Sequence, residues 1–310
     1  LILIEAILSG IIVGAVYALI GVGLSMIYGV MKVVNFAHGD LLVFSSFTAW
    51  FLYRRMAMDP LVSLFIILPV SFLLGILLYY LVIKRLQNSN DSETASFLAF
   101  FGISLMLKHL TTSMFGATPR GIPFPYEQFF RISTRMGPFT LSTSRIIAFM
   151  VVCVVTVILV YYLQRTRVGK AIRAVIQHKE AAQILGIKTD LISAISLGIG
   201  LMSVSIAGVL VTLVFPSISS KLAVNYTTIA FVVIILGGLR QPLGALLGGV
   251  VYGITESVAM LLLPMGYAHA LTFFIMISVV MWRPEGLLSG VKVWRKKKLT
   301  VNELVVTEGY

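Results

Sequence analysis

Hydrophobic residues in this chain come in long blocks, and polar residues are confined to the gaps between them. Several blocks reach about 20 residues, enough for a helix rising ~1.5 Å per residue to cross a ~30 Å hydrocarbon core. The pattern predicts helices at about 6–31, 41–57, 61–83, 95–115, 143–164, 190–215, 226–239, 242–263 and 268–283. It describes an all-α polytopic membrane protein of about eight or nine transmembrane segments, with no soluble domain of useful size. Two blocks are short. The apolar run 41–53 gives only about 20 Å of helix, and it follows the polar stretch VVNFAHGD (33–40), with Asn35, His38, Gly39 and Asp40. The block 226–239 is also short and ends in GGLRQPLG, with Gly237, Gly238 and Gly244. Backbone interrupted at membrane depth survives only where protein or a water-filled cavity surrounds it, and such segments point to a transport path. No convincing internal repeat relates the two.

Composition agrees. The 310 residues are 58% hydrophobic and 12% charged, with mean hydropathy +0.99, whereas a soluble domain carries about 25% charged residues. The single cysteine, Cys153, excludes a disulfide framework and reads as a packing residue. No secretory signal with a cleavage site is expected before the first block. The net charge of +12 does not call for nucleic acid, because most Lys and Arg gather in 84–93, 164–190 and the tail from Arg283 through RKKK (295–298). The positive-inside rule makes these cytoplasmic and leaves 116–142 outside. Nine crossings then place the N-terminus outside and the C-terminus inside. Arg54 and Arg55 run against that count. The expected organisation is one transmembrane domain over 1–290, with a cytoplasmic loop at about 165–190, and a basic cytoplasmic tail over 291–310.

Small residues recur every four positions at Ala6, Gly10, Gly14 and Ala18, and again at Ala245, Gly249 and Gly253. Such stripes let helices approach closely in lipid, within one subunit or between two. Asp40 and Glu256 are acidic residues in or beside apolar blocks, where a charge costs at least ~2.5 kcal/mol and needs a polar partner or a transport role. His38 reads as a hydrogen-bonded structural residue or a proton-sensitive one. No second His or Cys stands at ligand spacing, so no metal site is expected. No GxxxxGK[ST] loop occurs, so the chain has no means of cradling nucleotide phosphates, and no catalytic residues are expected.

The loop RAVIQHKEAAQILGIKTD (173–190) is the most informative. Good helix formers run from Lys170 to Leu185, predicting one unbroken helix that Gly186 stops. An ordered cytoplasmic helix between two spans is a docking part or a solvated linker, and spacing alone leaves both open.

Glu180-Ala181-Ala182 followed by Gly186 resembles the EAA loop of permease subunits in bacterial ABC importers. There the loop continues to an Ile and a Leu-Pro pair; here Ile195 and Leu197 stand in place, with Gly198 at the proline position. GLSMIYGVMKVVNFAHGD (23–40), RAVIQHKEAAQILGI (173–187) and GGLRQPLGALLGGVVYGITES (237–257) resemble, in order, the membrane permeases of branched-chain amino acid importers. The resemblance implies a type II importer-like fold in the bacterial inner membrane. It also implies an ATPase-coupling element at Arg173, Glu180, Ala181, Ala182 and Gly186. The implied partners are cytoplasmic ABC ATPase subunits holding ATP and Mg, a second permease forming a heterodimer or homodimer, and a periplasmic substrate-binding protein. The chain itself is expected to bind no cofactor. Its cargo would be a branched-chain or related amino acid, with amides, urea and aromatic acids also carried in the group. Helix starts at Gly39–Asp40 and at the Gly237/Gly238–Gly244 break would suit the cargo's carboxylate; Glu256 is a further candidate for the path. A stand-alone ion-coupled secondary transporter of small apolar or amide-type solutes is the other reading, and a structural membrane protein a third.

Overall fold

The computed structural model describes residues 2–86, 91–123, 126, 134–136 and 139–282; the tail 291–310 and the remaining segments lie outside the described residues. The elements are α1 (Ile2–Met31), α2 (His38–Met56), α3 (Pro60–Leu78, prolonged by a π-helical stretch Tyr79–Ile83 and a turn Lys84–Leu86), α4 (Ser92–Phe115), a small hairpin β1 (Thr134–Met136) and β2 (Phe139–Leu141), α5 (Thr143–Arg165), α6 (Arg167–Gln177), α7 (Lys179–Ile184), α8 (Thr189–Val214), α9 (Ala223–Gly237, entered through a 3-10 turn Ser220–Leu222), α10 (Pro242–Leu262) and α11 (Met265–Trp282).

Each predicted block is a helix, with ends moved by a few residues. Seven helices among the described residues are long and apolar enough to cross a membrane, fewer than the eight or nine expected. α2 is not among the seven. Its first turn carries His38 and Asp40 and its last turn Arg54 and Arg55, which dilute its apolar content. Helix ends follow local chemistry. The Asp59 carboxylate accepts from the Leu61 N–H at 2.8 Å, with Pro60 opening α3, and Asp91 accepts from Thr94 at 3.1 Å to open α4. Each satisfies a donor the helix leaves orphaned.

α1 and α8 form the centre. The two small-residue stripes meet each other: Gly10 and Gly14 of α1 lie on Gly253 and Gly249 of α10, and Ala18 lies on Gly249. A Cβ on any of these glycines would enter the other helix's backbone. The stripes therefore pack α1 against α10 within one chain. Hydroxyls stitch α8 to its neighbours. Ser203 donates to the Leu19 carbonyl at 2.7 Å, and Ser46 to the Gly208 carbonyl at 2.6 Å. Ser205 joins Ser45 at 2.9 Å and Ser71 at 2.7 Å, so one hydroxyl ties α2, α3 and α8. Such bonds between helices in lipid average about 0.6 kcal/mol each. α3, α4 and α5 wrap this centre and expose Phe65, Leu73, Leu98, Met106 and Val157.

The bundle has two distinct ends. α6 packs at the end of α1 where Ile176 meets Gly29. At the other end, Phe47 and Phe51 of α2 meet Phe115 of α4, and Arg120 pairs with Ile218.

Candidate functional site

The stretch 32–37 separates α1 from α2 inside the protein. Lys32 takes a left-handed conformation (φ 56°) and ends α1, and the chain folds back so that His38 lies beside Ile20, well before the end of α1. His38 Nε2 donates to the Ile20 carbonyl at 3.0 Å. The Gly39 N–H donates to Thr227 Oγ1 at 3.0 Å, and that hydroxyl donates to the Phe36 carbonyl at 3.2 Å. Ser104 donates to Asp40 at 2.5 Å. No side chain of the preceding residue caps α2. Its start is held instead by α1, α4 and α9, and Asp40 places a carboxylate at the positive end of the helix dipole. Gly39 is a necessity of packing, because a Cβ there would strike the Ala223 carbonyl and Thr227. Asn35 and His38 are wholly buried, and both polar atoms of the Asn35 amide and His38 Nδ1 have no hydrogen-bond partner among the described residues. The short-segment expectation for 41–53 is corrected here. α2 has 19 residues because HGD forms its first turn instead of preceding it.

Gly237, Gly238 and Gly244 lie elsewhere. Gly237 and Gly244 touch backbone to backbone, and Gly238 takes φ 100°, closing a tight turn between α9 and α10. Leu239, Arg240 and Gln241 of that turn are exposed. Ser25 of α1 donates to the Leu239 carbonyl at 3.3 Å, so this turn sits toward the α6 end of the bundle. It joins two helices and does not meet the 32–37 break.

Glu256 is buried on α10 beside three tyrosines, Tyr17, Tyr226 and Tyr252, and is hydrogen-bonded to Tyr17. Tyr17 and Tyr252 meet edge to face with centroids 5.5 Å apart. The first turn of α9 links this cluster to the break, since Tyr226 lies within electrostatic reach of Glu256 and the adjacent Thr227 holds Gly39 and Phe36. Thr227, Tyr226, Tyr17 and Ser104 were not singled out from the sequence. The Tyr-Thr pair opening a short apolar block was the available signal.

The element 167–187 is two helices, not the unbroken one expected. His178 is extended (φ −157°), and its Nδ1 accepts from the Ala181 N–H at 3.3 Å, so the His side chain starts a new helix. α6 is capped by Thr166, which accepts from Gly169 at 3.0 Å. It buries Gly169, Ile172 and Val175 at helical spacing. Arg173 donates to the Gln164 carbonyl at 3.3 Å and pins α6 to the end of α5; burial lowers its guanidinium from the usual arginine value. In α7, Ala182 is buried while Glu180 and Ala181 are exposed. Gly186, at φ 80°, ends it: its N–H donates to Gln183 O and the Ile187 N–H to Ala182 O, the paired bonds of a glycine-terminated helix. Ile184 and Leu185 stand 87% and 80% exposed at the tip, and nothing in the sequence distinguished them. Gln183 donates to Thr189 at 2.8 Å, and Asp190 on the next turn accepts from Tyr79 at 3.1 Å and pairs with Lys84 at 3.0 Å, joining the tip to α3. Among the described residues no group of three or more His, Cys, Asp or Glu is placed to hold a metal.

Seven helices long and apolar enough to cross a membrane, packed among the described residues into one bundle, define a multi-pass membrane protein. A family model described as branched-chain amino acid transport system / permease component matches residues 6–280, and the chain belongs to that family. It is 25% identical over 292 residues to the high-affinity branched-chain amino acid transport system permease protein LivH of Salmonella typhimurium, covering 92% of this chain and 95% of the relative. It is 27% identical over 297 residues to the permease protein BraD of Pseudomonas aeruginosa, covering 93% and 96%. Over 315 residues it is 29% identical to a probable branched-chain amino acid transport permease protein LivH of Methanocaldococcus jannaschii, covering 95% of each. No solved structure matches the chain. The chain is thus the permease component of an ABC transport system and not itself an enzyme, which displaces the stand-alone ion-coupled carrier as a reading.

Proposed function

We propose that the chain lines the path of an ATP-driven importer for branched-chain or related amino acids and receives its driving motion through α6 and α7. The observation that carries the coupling role is the exposed pair Ile184 and Leu185 at the tip of α7, outside the membrane spans. Large apolar side chains exposed to water beside a rigid turn are the mark of a protein-docking surface. Arg173 holds α6, Glu180 and Ala181 face outward beside the tip, Ala182 anchors it and Gly186 terminates it. A cytoplasmic ATPase seated there, holding ATP and Mg2+, would move the element as a rigid piece and tilt α5 and α8. The fold is read as that of a type II importer permease in a bacterial inner membrane, C-terminus cytoplasmic. A second permease subunit and a periplasmic binding protein complete the assembly.

The path is assigned to the first turns of α2 and α9, where Gly39 bonds Thr227, with Asn35, His38 and Asp40 beside it in the chain and Glu256 in the adjoining tyrosine cluster. Gly237, Gly238 and Gly244 serve as the break that lets α10 return beside it. Co-expression with the cognate ATPases and leucine uptake into reconstituted vesicles tests the coupling. Gly186→Trp, which has open space around its Cβ but strains the left-handed end of α7 (φ 80°), should leave insertion of the spans intact and reduce uptake at least tenfold. Full uptake in that variant would sink the coupling assignment.

A further inference from the structure

At the end of the bundle remote from α6 and α7, a cavity of about 630 Å³ is lined by Trp50, Arg54, Arg55, Pro119, Arg120 and Gly121. Three arginines line it, and among the described residues no carboxylate does. We infer that this pocket binds the phosphate of an anionic phospholipid headgroup. The inference rests on the membrane reading of the fold and on neither the cargo nor the ATPase.

The pocket is built in advance of any ligand. The Arg120 guanidinium lies 4.9 Å from the Trp50 ring centroid, a stacking that holds its plane. Its backbone pairs with Ile218 in both directions, at 2.9 and 2.6 Å, and Gly121 is seated on the Pro216 carbonyl where no Cβ fits. Arg120 Nε is buried and has no hydrogen-bond partner among the described residues. Three like charges converging on one cavity repel one another, and an anion with several acceptor oxygens relieves that repulsion while accepting from planar guanidinium forks.

Position selects the source of the anion. Trp50, Arg54 and Arg55 occupy the last turns of α2, and Met56 on the same turn is 65% exposed. Phe65, near the start of α3, is 82% exposed. The cationic pocket therefore adjoins side chains that face acyl chains, at the boundary level where Trp and Arg meet headgroups. An acidic soluble protein would satisfy the arginines but not the apolar border. The lipid also accounts for Arg54 and Arg55 standing at the end where the positive-inside rule expects few cations.

The test uses the full chain, delipidated in detergent and incubated with phosphatidylglycerol or phosphatidylcholine, with bound lipid counted by native mass spectrometry. The expected result is at least a tenfold preference for phosphatidylglycerol, falling below twofold in Arg54→Gln and in Arg54→Gln/Arg120→Gln, and unchanged in Arg240→Gln. Arg54 is exposed, so its variant probes the pocket without risk to the fold. Equal retention in wild type and Arg54→Gln overturns the inference. Displacement by inorganic phosphate as effective as by the lipid assigns the pocket to free phosphate instead. Arginine-dependent binding of a hexaglutamate peptide without lipid preference assigns it to an acidic protein. Transport activity does not enter any of these readouts.

Discussion

α8 and α5 are both strongly apolar and of similar length, yet 89% of the most apolar window of α8 is buried in the protein and only 17% of that of α5. α1, 78% buried, goes with α8, and α3 and α4, each 22% buried, go with α5. Hydropathy does not separate the two groups, because lipid tails are as apolar as a protein interior and give no reward for leaving them. Small and hydroxylic residues are denser at the contacts of the first group, although α3 also presses Gly75 on Gly198 and bonds through Ser71 and α4 bonds through Ser104. α1 and α8 carry Gly10, Gly14, Gly23, Gly200 and Gly208, each pressed on another helix's backbone or side chains, together with Ser203 and Ser205 in interhelical bonds. α4 has Gly102, around which a Cβ would meet nothing within 4 Å. Close approach and hydrogen bonding therefore choose the centre.

That contrast is open to direct attack. Gly14→Leu should be the most damaging change, since even its Cβ would enter the α10 backbone. Overpacking of this kind costs about 3 kcal/mol or more, and monodisperse folded protein from detergent-extracted membranes should be lost. His38→Phe should follow. It removes the buried bond to the Ile20 carbonyl and presses a larger ring toward Gly23, costing about 1–3 kcal/mol in a thermal or denaturant titration. Ser205→Ala, which removes bonds to both Ser45 and Ser71, should cost about 1 kcal/mol, in line with interhelical hydroxyl bonds in lipid. Gly102→Leu should change stability by less than about 0.5 kcal/mol, as surface substitutions do. If Gly102→Leu proved as harmful as Gly14→Leu, the outer face of α4 would be a subunit interface and the contrast would have to be redrawn around the assembly.

The two interruptions repeat the lesson at the candidate site. Both were visible as short apolar blocks flanked by glycine and polar residues. The 32–37 break is buried at Val33, Asn35 and Ala37 and its end is tied to three helices, whereas Leu239–Gln241 form an exposed turn. The difference lies in partners far along the chain. Ile20, Ser104 and Thr227 receive or supply the bonds of His38, Asp40 and Gly39, and no local pattern names them. In the coupling element, Gly186 was legible because a left-handed helix end favours glycine. The new start at His178 was not, because a His cap competes with a run of good helix formers.

Composition and block length by themselves determined that the chain is a helical membrane protein, where its helices lie, and that a glycine-ended element sits between two spans. Those properties follow from transfer into lipid and from backbone conformation, which act locally. Which helices are central, which stripe of small residues faces which, and what satisfies the buried polar groups were decided only in the tertiary structure. In a solvent as apolar as the protein itself, shape and hydrogen bonding between distant segments are what distinguish one arrangement from another.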